Sequence, residues 1–272
     1  MVLDNRSMFE IKVDALIRLL LQNTVSGILP IHIVTEYQKS GGSWVGQMLS
    51  EYMDIPFPRN CFPVFKKSVQ HGHLLPKPTM SNVICVFRDG RDAVVSSYFH
   101  MLFESDKNSP KLVASCRDSL QFENYSNVYE NLPRFIEYLF TEHHSRTLLR
   151  QNQFTWSEFV DAWWQRDDVV KVKYEDLIAD CMAVMTGVLS ELTVEAVCIE
   201  RLKDVVDKFS FENQSKRKPG VENTKSFLRK GRPGDWKEKF SLESAQVFEH
   251  FAGKQLVALG YEHDSSWVSS FS

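Results

Sequence analysis

Metal and disulfide motifs are missing from this sequence. Its five cysteines, Cys61, Cys85, Cys116, Cys181 and Cys198, are odd in number and scattered, with no C-x-x-C pair. Buried free thiols are the expected reading, most plainly for Cys85 inside the apolar run VICVF. A large excess of one charge is missing too, the net charge being -3 over 272 residues. Sequence-independent nucleic-acid binding relies on a strongly basic surface, so no nucleic-acid partner is expected and any anion site must be local. The opening segment MVLDNRSMFEIKVDALIRLLLQ breaks its apolar pattern with acids and bases, which fits neither a signal peptide nor a membrane span. No integral membrane association is expected, and a cytoplasmic location is the default. Repeats, low-complexity tracts and a clear linker are also absent, so one domain over 1–272 is expected.

What is present is a packed-enzyme composition, 43% hydrophobic, 12% aromatic and 25% charged. Apolar side chains recur at helical spacing over 11–21, predicting a leading helix that the following SGILP ends. IHIVTE, NVICVF and VVKVKY are short β-branched-rich runs, each leading through a polar turn into a helical pattern. Strands alternating with helices predict an α/β fold, a central mainly parallel sheet flanked by helices on both faces. Ligands of such sheets bind at the carboxyl ends of the strands, so the loops beginning at Tyr37, Arg88 and Tyr174 are expected to open toward one crevice. Two polar, turn-rich stretches, 104–127 and 212–235, are expected to be mobile loops, either plain surface or a lid and gate.

Three cationic loops stand out. KSGGSW, between a strand and a helix, offers backbone N–H groups, two hydroxyls and Lys39 to an anion; a glycine turn capped by Ser43 is the structural alternative. FRDGRDAVVSSYF has the same architecture, with Arg88 at a strand end where a guanidinium can grip phosphate bidentately, or else pair with Asp89 or Asp92. FLRKGRPGDWKEKF groups Arg229, Lys230 and Arg232. Their recurrence in a mildly acidic chain points to one highly charged ligand. The ATP-binding loop G-x-x-x-x-G-K-[ST] is missing, and Lys39 precedes its glycines instead of following them.

The order KSGGSW, RDGRDAVVSSYF, VKYEDL, RKGRPGDWKEKF resembles the sulfotransferases that use 3'-phosphoadenosine-5'-phosphosulfate (PAPS), the cytosolic type in particular, from about Thr35 to Gly260. The resemblance implies the P-loop-like sulfotransferase fold, PAPS as co-substrate and PAP as product, with no metal required. It implies that Lys39, Ser40, Gly41, Gly42, Ser43 and Trp44 form the 5'-phosphosulfate loop, with Lys39 at the bridging oxygen and Trp44 stacked on adenine. Arg88 and Ser96 match the 3'-phosphate pair; Arg229, Lys230 and Gly231 match the loop that closes over it; Tyr174, Ser210 and Phe211 match the adenine pocket. Trp44, Tyr174 and Phe211 can equally be core aromatics.

Two departures stand beside the matches. Gly42 takes the place of a hydroxyl residue, and the family's dimer motif is degraded at Ser241, Leu242 and Gln246, so a dimer is not assumed. The implied general base is a histidine on the extended segment SVQHGHLLP; His71 and His73 share a face there, and His73, followed by LLP, is preferred. A metal bound by the H-G-H pair lacks a third ligand nearby. His100 is expected to pack or cap. The implied reaction is in-line sulfuryl transfer to a hydroxyl or amine of a small-molecule or conjugated acceptor, with His73 or His71 taking the proton and Lys39 stabilising the leaving oxygen. The alternatives are a P-loop-like kinase and a non-catalytic nucleotide-binding module.

Overall fold

The computed structural model describes residues 7–21, 29–58, 66–105, 108, 110–143 and 154–271. Among them, strands β1 (Ile31–Glu36), β2 (Ser68–Gly72), β3 (Val83–Phe87) and β4 (Val170–Lys173) form one all-parallel sheet in the order β2-β1-β3-β4. Its helices are α1 (Met8–Leu20), α2 (Gly42–Met53), α3 (Gly90–Leu102), α4 (Pro110–Leu120), α5 (Val128–Thr141) and α6 (Trp156–Trp163). They continue with α7 (Tyr174–Ala179), α8 (Cys181–Leu192), α9 (Ile199–Lys208), α10 (Phe211–Ser215), α11 (Trp236–Lys239) and α12 (Leu242–Ala258).

The two-residue period of the strands explains the layers. On β1 and β3, Ile31, Ile33, Val83, Cys85 and Phe87 face one cluster, which α3, α5, α6 and α12 complete with Tyr98, Phe135, Trp163 and Phe248. Val34, Ile84 and Val86 face the other, against Met48 of α2, Leu189 of α8 and Leu202 of α9. Buried on both faces, these strands read as continuous apolar runs. The chain leaves β1 for β2 on one side and returns to β3 on the other, so the loops after β1 and β3 diverge and open a crevice between them.

Three expectations change. The leading helix starts at Met8, not near residue 11, because Ser7 and Glu10 form a reciprocal capping box. The stretch 104–127, expected to be a loop, holds α4, whose Val113, Cys116 and Leu120 form a narrow buried stripe among polar neighbours. The stretch 212–235 carries little regular structure, yet it is knitted together. The Arg217 guanidinium donates to the carbonyls of Val221 (2.6 Å), Arg229 (2.9 Å) and Leu228, and the Asp92 carboxylate accepts from Gly234 N–H (2.6 Å) and Trp236 N–H (3.1 Å). Of the thiols, Cys85 and Cys116 are buried as expected, whereas Cys181 is half-buried and Cys198 exposed; Cys61 lies outside the described residues.

Candidate functional site

The loop after β1 is built around two left-handed residues, Lys39 (φ 68°) and Gly41 (φ 99°). Alternating handedness turns successive N–H groups inward, the geometry of an anion nest. At Lys39 this conformation costs a non-glycine residue on the order of 1 kcal/mol; the Arg88 guanidinium braces it by donating to the Lys39 carbonyl (2.8 Å). Gly41 admits no side chain, since a Cβ there would lie 2.8 Å from the Tyr174 ring. The Lys39 ammonium rests 3.6 Å from the centre of the Phe227 ring.

One cavity joins this loop to the others. Lys39, Gly41, Ser43 and Trp44 line it with Arg88, Ser96, Tyr174, Phe211, Arg229, Lys230 and Gly231, so the three cationic loops converge. Trp44 meets Tyr174 edge-on at 6.3 Å, and Arg88 lies 4.4 Å over the Tyr174 ring. Ser40 and Gly42 are buried behind the wall, and Ser210 is not on it: its hydroxyl caps α10 by accepting the Asn213 N–H. Arg229 and Lys230 are not bare cations. Arg229 pairs with Glu222 and with Asp235 (2.5 Å), and Lys230 pairs with Asp235 and with Glu238 (3.2 Å). Burial penalises the Asp235 carboxylate, and the two cations more than offset it, holding its pKa below the usual range.

Glu36 is the residue the sequence did not single out. It looked like the polar end of a strand; here it lines the cavity, almost fully buried, and its oxygens are divided. Oε2 accepts the Gly42 N–H (2.7 Å), Oε1 accepts from His71 Nε2 (2.8 Å), and its backbone carbonyl accepts from His73 Nδ1 (2.9 Å). A Cβ on residue 42 would lie 2.9 Å from Glu36 Cδ, so the glycine and the glutamate fit as a pair. Burial alone would raise the Glu36 pKa; the hydrogen bond from His71, the nearby imidazoles and the Gly42 N–H bring it to about 2, from an ordinary 4.5. A folded-state pKa below the unfolded one stabilises the fold above pH 4.5 and loses that stability as pH falls toward 2. Urea unfolding at pH 7 and pH 3 should therefore show Glu36→Gln losing less stability on acidification than the native chain, by about 2 kcal/mol; equal losses would contradict it.

The histidines lie beside this carboxylate, His71 on β2 and His73 just after it, with rings 5.4 Å apart. Both contact Glu36 but are not on the wall of the cavity. His100 lies in the same cluster. It stands edge-on to Phe227 at 6.0 Å, and burial, then the charges of Lys39 and His73, push its pKa down to about 3. Among the described residues no three histidine, cysteine or acidic side chains are arranged to hold a metal, and no helix is long and apolar enough to cross a membrane.

The family model for the sulfotransferase domain matches residues 59–260. The chain belongs to the sulfotransferase family. The loop from Lys39 to Trp44 precedes the matched range. This sulfotransferase is 29% identical over 202 residues to a 3-alpha-hydroxysteroid sulfotransferase of Cavia porcellus, covering 65% of this chain and only 58% of that one. It is 24% identical over 265 residues to a 3-beta-hydroxysteroid sulfotransferase of the same animal, covering 80% of each. Its fold matches mouse sulfotransferase SULT7A1 complexed with PAP (TM-score 0.62, 16% identity, 96% of this chain and 94% of that one). It also matches retinol dehydratase in complex with retinol and PAP (TM-score 0.57, 17% identity, 88% and 85%).

Proposed function

We propose that this sulfotransferase moves a sulfuryl group from PAPS to the hydroxyl of an apolar small molecule. The observation that carries the reading is a set of orphaned donors on the loops bounding the cavity. Ser40 Oγ, Trp44 Nε1, Arg88 Nε and Arg229 Nε are all buried without a partner. Each such atom costs about 1–3 kcal/mol, and a multiply charged anion would offset the loss. The residues present therefore fit PAPS. Lys39, Ser40, Gly41, Ser43 and Trp44 would hold the 5' end, Arg88 and Ser96 the 3'-phosphate with Arg229, Lys230 and Gly231 closing over it, and Tyr174 and Phe211 the adenine. PAPS supplies the activated sulfuryl group.

His73 is the base this reading selects. A carbonyl only accepts, so the Glu36 carbonyl requires hydrogen on His73 Nδ1 and leaves the lone pair on Nε2. His71 has Nε2 engaged by a carboxylate. An apolar hydroxyl acceptor is supported by the relatives' names, which specify hydroxysteroids. Incubation with radiolabelled PAPS and androsterone or retinol in EDTA is expected to label the alcohol. Consumption of ATP with magnesium, and no sulfate transfer to any hydroxyl or amine offered, would overturn the reading.

A further inference from the structure

We infer that Glu36 is the positioning residue of the histidine base, acting through both its backbone and its carboxylate. The inference rests on the sulfuryl-transfer reading. In that reaction the acceptor oxygen forms a bond to sulfur as the bond from sulfur to the bridging oxygen breaks. The bonding pair stays on the phosphate of PAP, beside Lys39, and the acceptor's proton goes to His73 Nε2. The ring of His73 thereby becomes a cation, and what surrounds it decides how readily it accepts the proton.

Two of those surroundings are unfavourable or neutral: His71 on β2, its ring 5.4 Å away, and His100 on α3, which itself lies under the charge of Lys39. Glu36 is the carboxylate among them. Its carbonyl fixes the His73 tautomer at 2.9 Å, while its carboxylate sits in the same cluster, held at the end of β1 by His71 Nε2 at 2.8 Å and by the Gly42 N–H at 2.7 Å. The backbone carbonyl of Glu36 orients the base, and His71 and the Gly42 N–H in turn hold its carboxylate in the same cluster, close enough for its charge to act on His73. Gly42 belongs to the same device. A side chain there would collide with Glu36 Cδ, so the hydroxyl missing from the loop makes room for the carboxylate that reaches the histidines.

The charge also touches the donor loop, and this separates positioning from plain structural support. Glu36→Gln keeps the size and removes the charge. Turnover with PAPS and androsterone should fall about tenfold, and the His73 midpoint, followed by NMR of the ring, should drop. PAP affinity should stay equal or rise, because a negative charge has left an anion site. Parallel losses of turnover and PAP binding, or an unmoved His73 midpoint, would overturn the inference. The native chain provides a second arm: two-bond proton–nitrogen spectra must show His73 protonated on Nδ1, and an Nε2-protonated ring overturns the proposal whether or not the variant folds. Should the native chain transfer no sulfate, the functional reading fails, while the tautomer and midpoint still report on Glu36.

Discussion

Arg88→Ala is expected to weaken PAP binding by roughly thirtyfold to several thousandfold, the cost of truncating one partner of a buried, hydrogen-bonded charge pair. Arg88 is only 8% exposed. Burial opposes its charge, but Asp92, then Tyr174, Glu175 and Asp89, hold the pKa above the ordinary arginine value, so the guanidinium is charged at every working pH. Its nitrogens are unequally used: Nη1 donates to the Lys39 carbonyl at 2.8 Å, Nη2 lies 3.8 Å from Asp92, and Nε has no partner. The substitution thus removes the proposed 3'-phosphate contact and the brace of the left-handed Lys39. It also strands Asp92, whose other partners are the N–H groups of Gly234 and Trp236 on the closing segment. Thermal melting should show whether the variant folds, and calorimetry should compare PAP with 5'-AMP. A large loss for PAP with a smaller one for 5'-AMP fits a 3'-phosphate contact. Unchanged PAP affinity would sink the assignment.

The sheet was legible because its strands are buried on both faces: IHIV and VICV are short apolar runs rich in β-branched residues, and each is punctuated by a polar turn. α4 was hidden because its buried stripe is a single line of Val113, Cys116 and Leu120 among Lys111, Arg117 and Asp118, which reads as a loop. The three cationic loops, which converge on one cavity, were legible for a different reason. Lysine, arginine and glycine at a strand end carry their chemistry in their residue types, and their recurrence compensated for the ambiguity of each. Glu36 had no such signal. An acid at the end of an apolar strand is ordinarily solvated; its role follows from β2 lying beside β1 in parallel, with Val34 opposite His71 and Thr35 opposite Gly72. That register brings two histidines from 35 and 37 residues away onto one carboxylate and one carbonyl.

Lys39→Ala should separate chemistry from binding in the sense opposite to Arg88→Ala. Turnover is expected to fall about tenfold to a thousandfold, the range for losing one group that stabilises transition-state charge, with the PAP dissociation constant changed far less. Lysine and alanine both carry a Cβ, so the left-handed residue at φ 68° is equally strained in either, and its carbonyl still accepts from Arg88. What disappears is the ammonium over Phe227, 3.6 Å from the ring centre. A cation on an aromatic face contributes about 0.5–2 kcal/mol, so the segment carrying Phe227 should loosen slightly and melting should shift little. The ammonium also lies close enough to depress His100 through its charge. Its removal should therefore raise the His100 midpoint while turnover falls, an internal control that the ammonium had been seated in this cluster. A variant that loses PAP affinity and turnover in equal measure would make Lys39 a ligand of the desulfated nucleotide instead of the group that meets the developing charge.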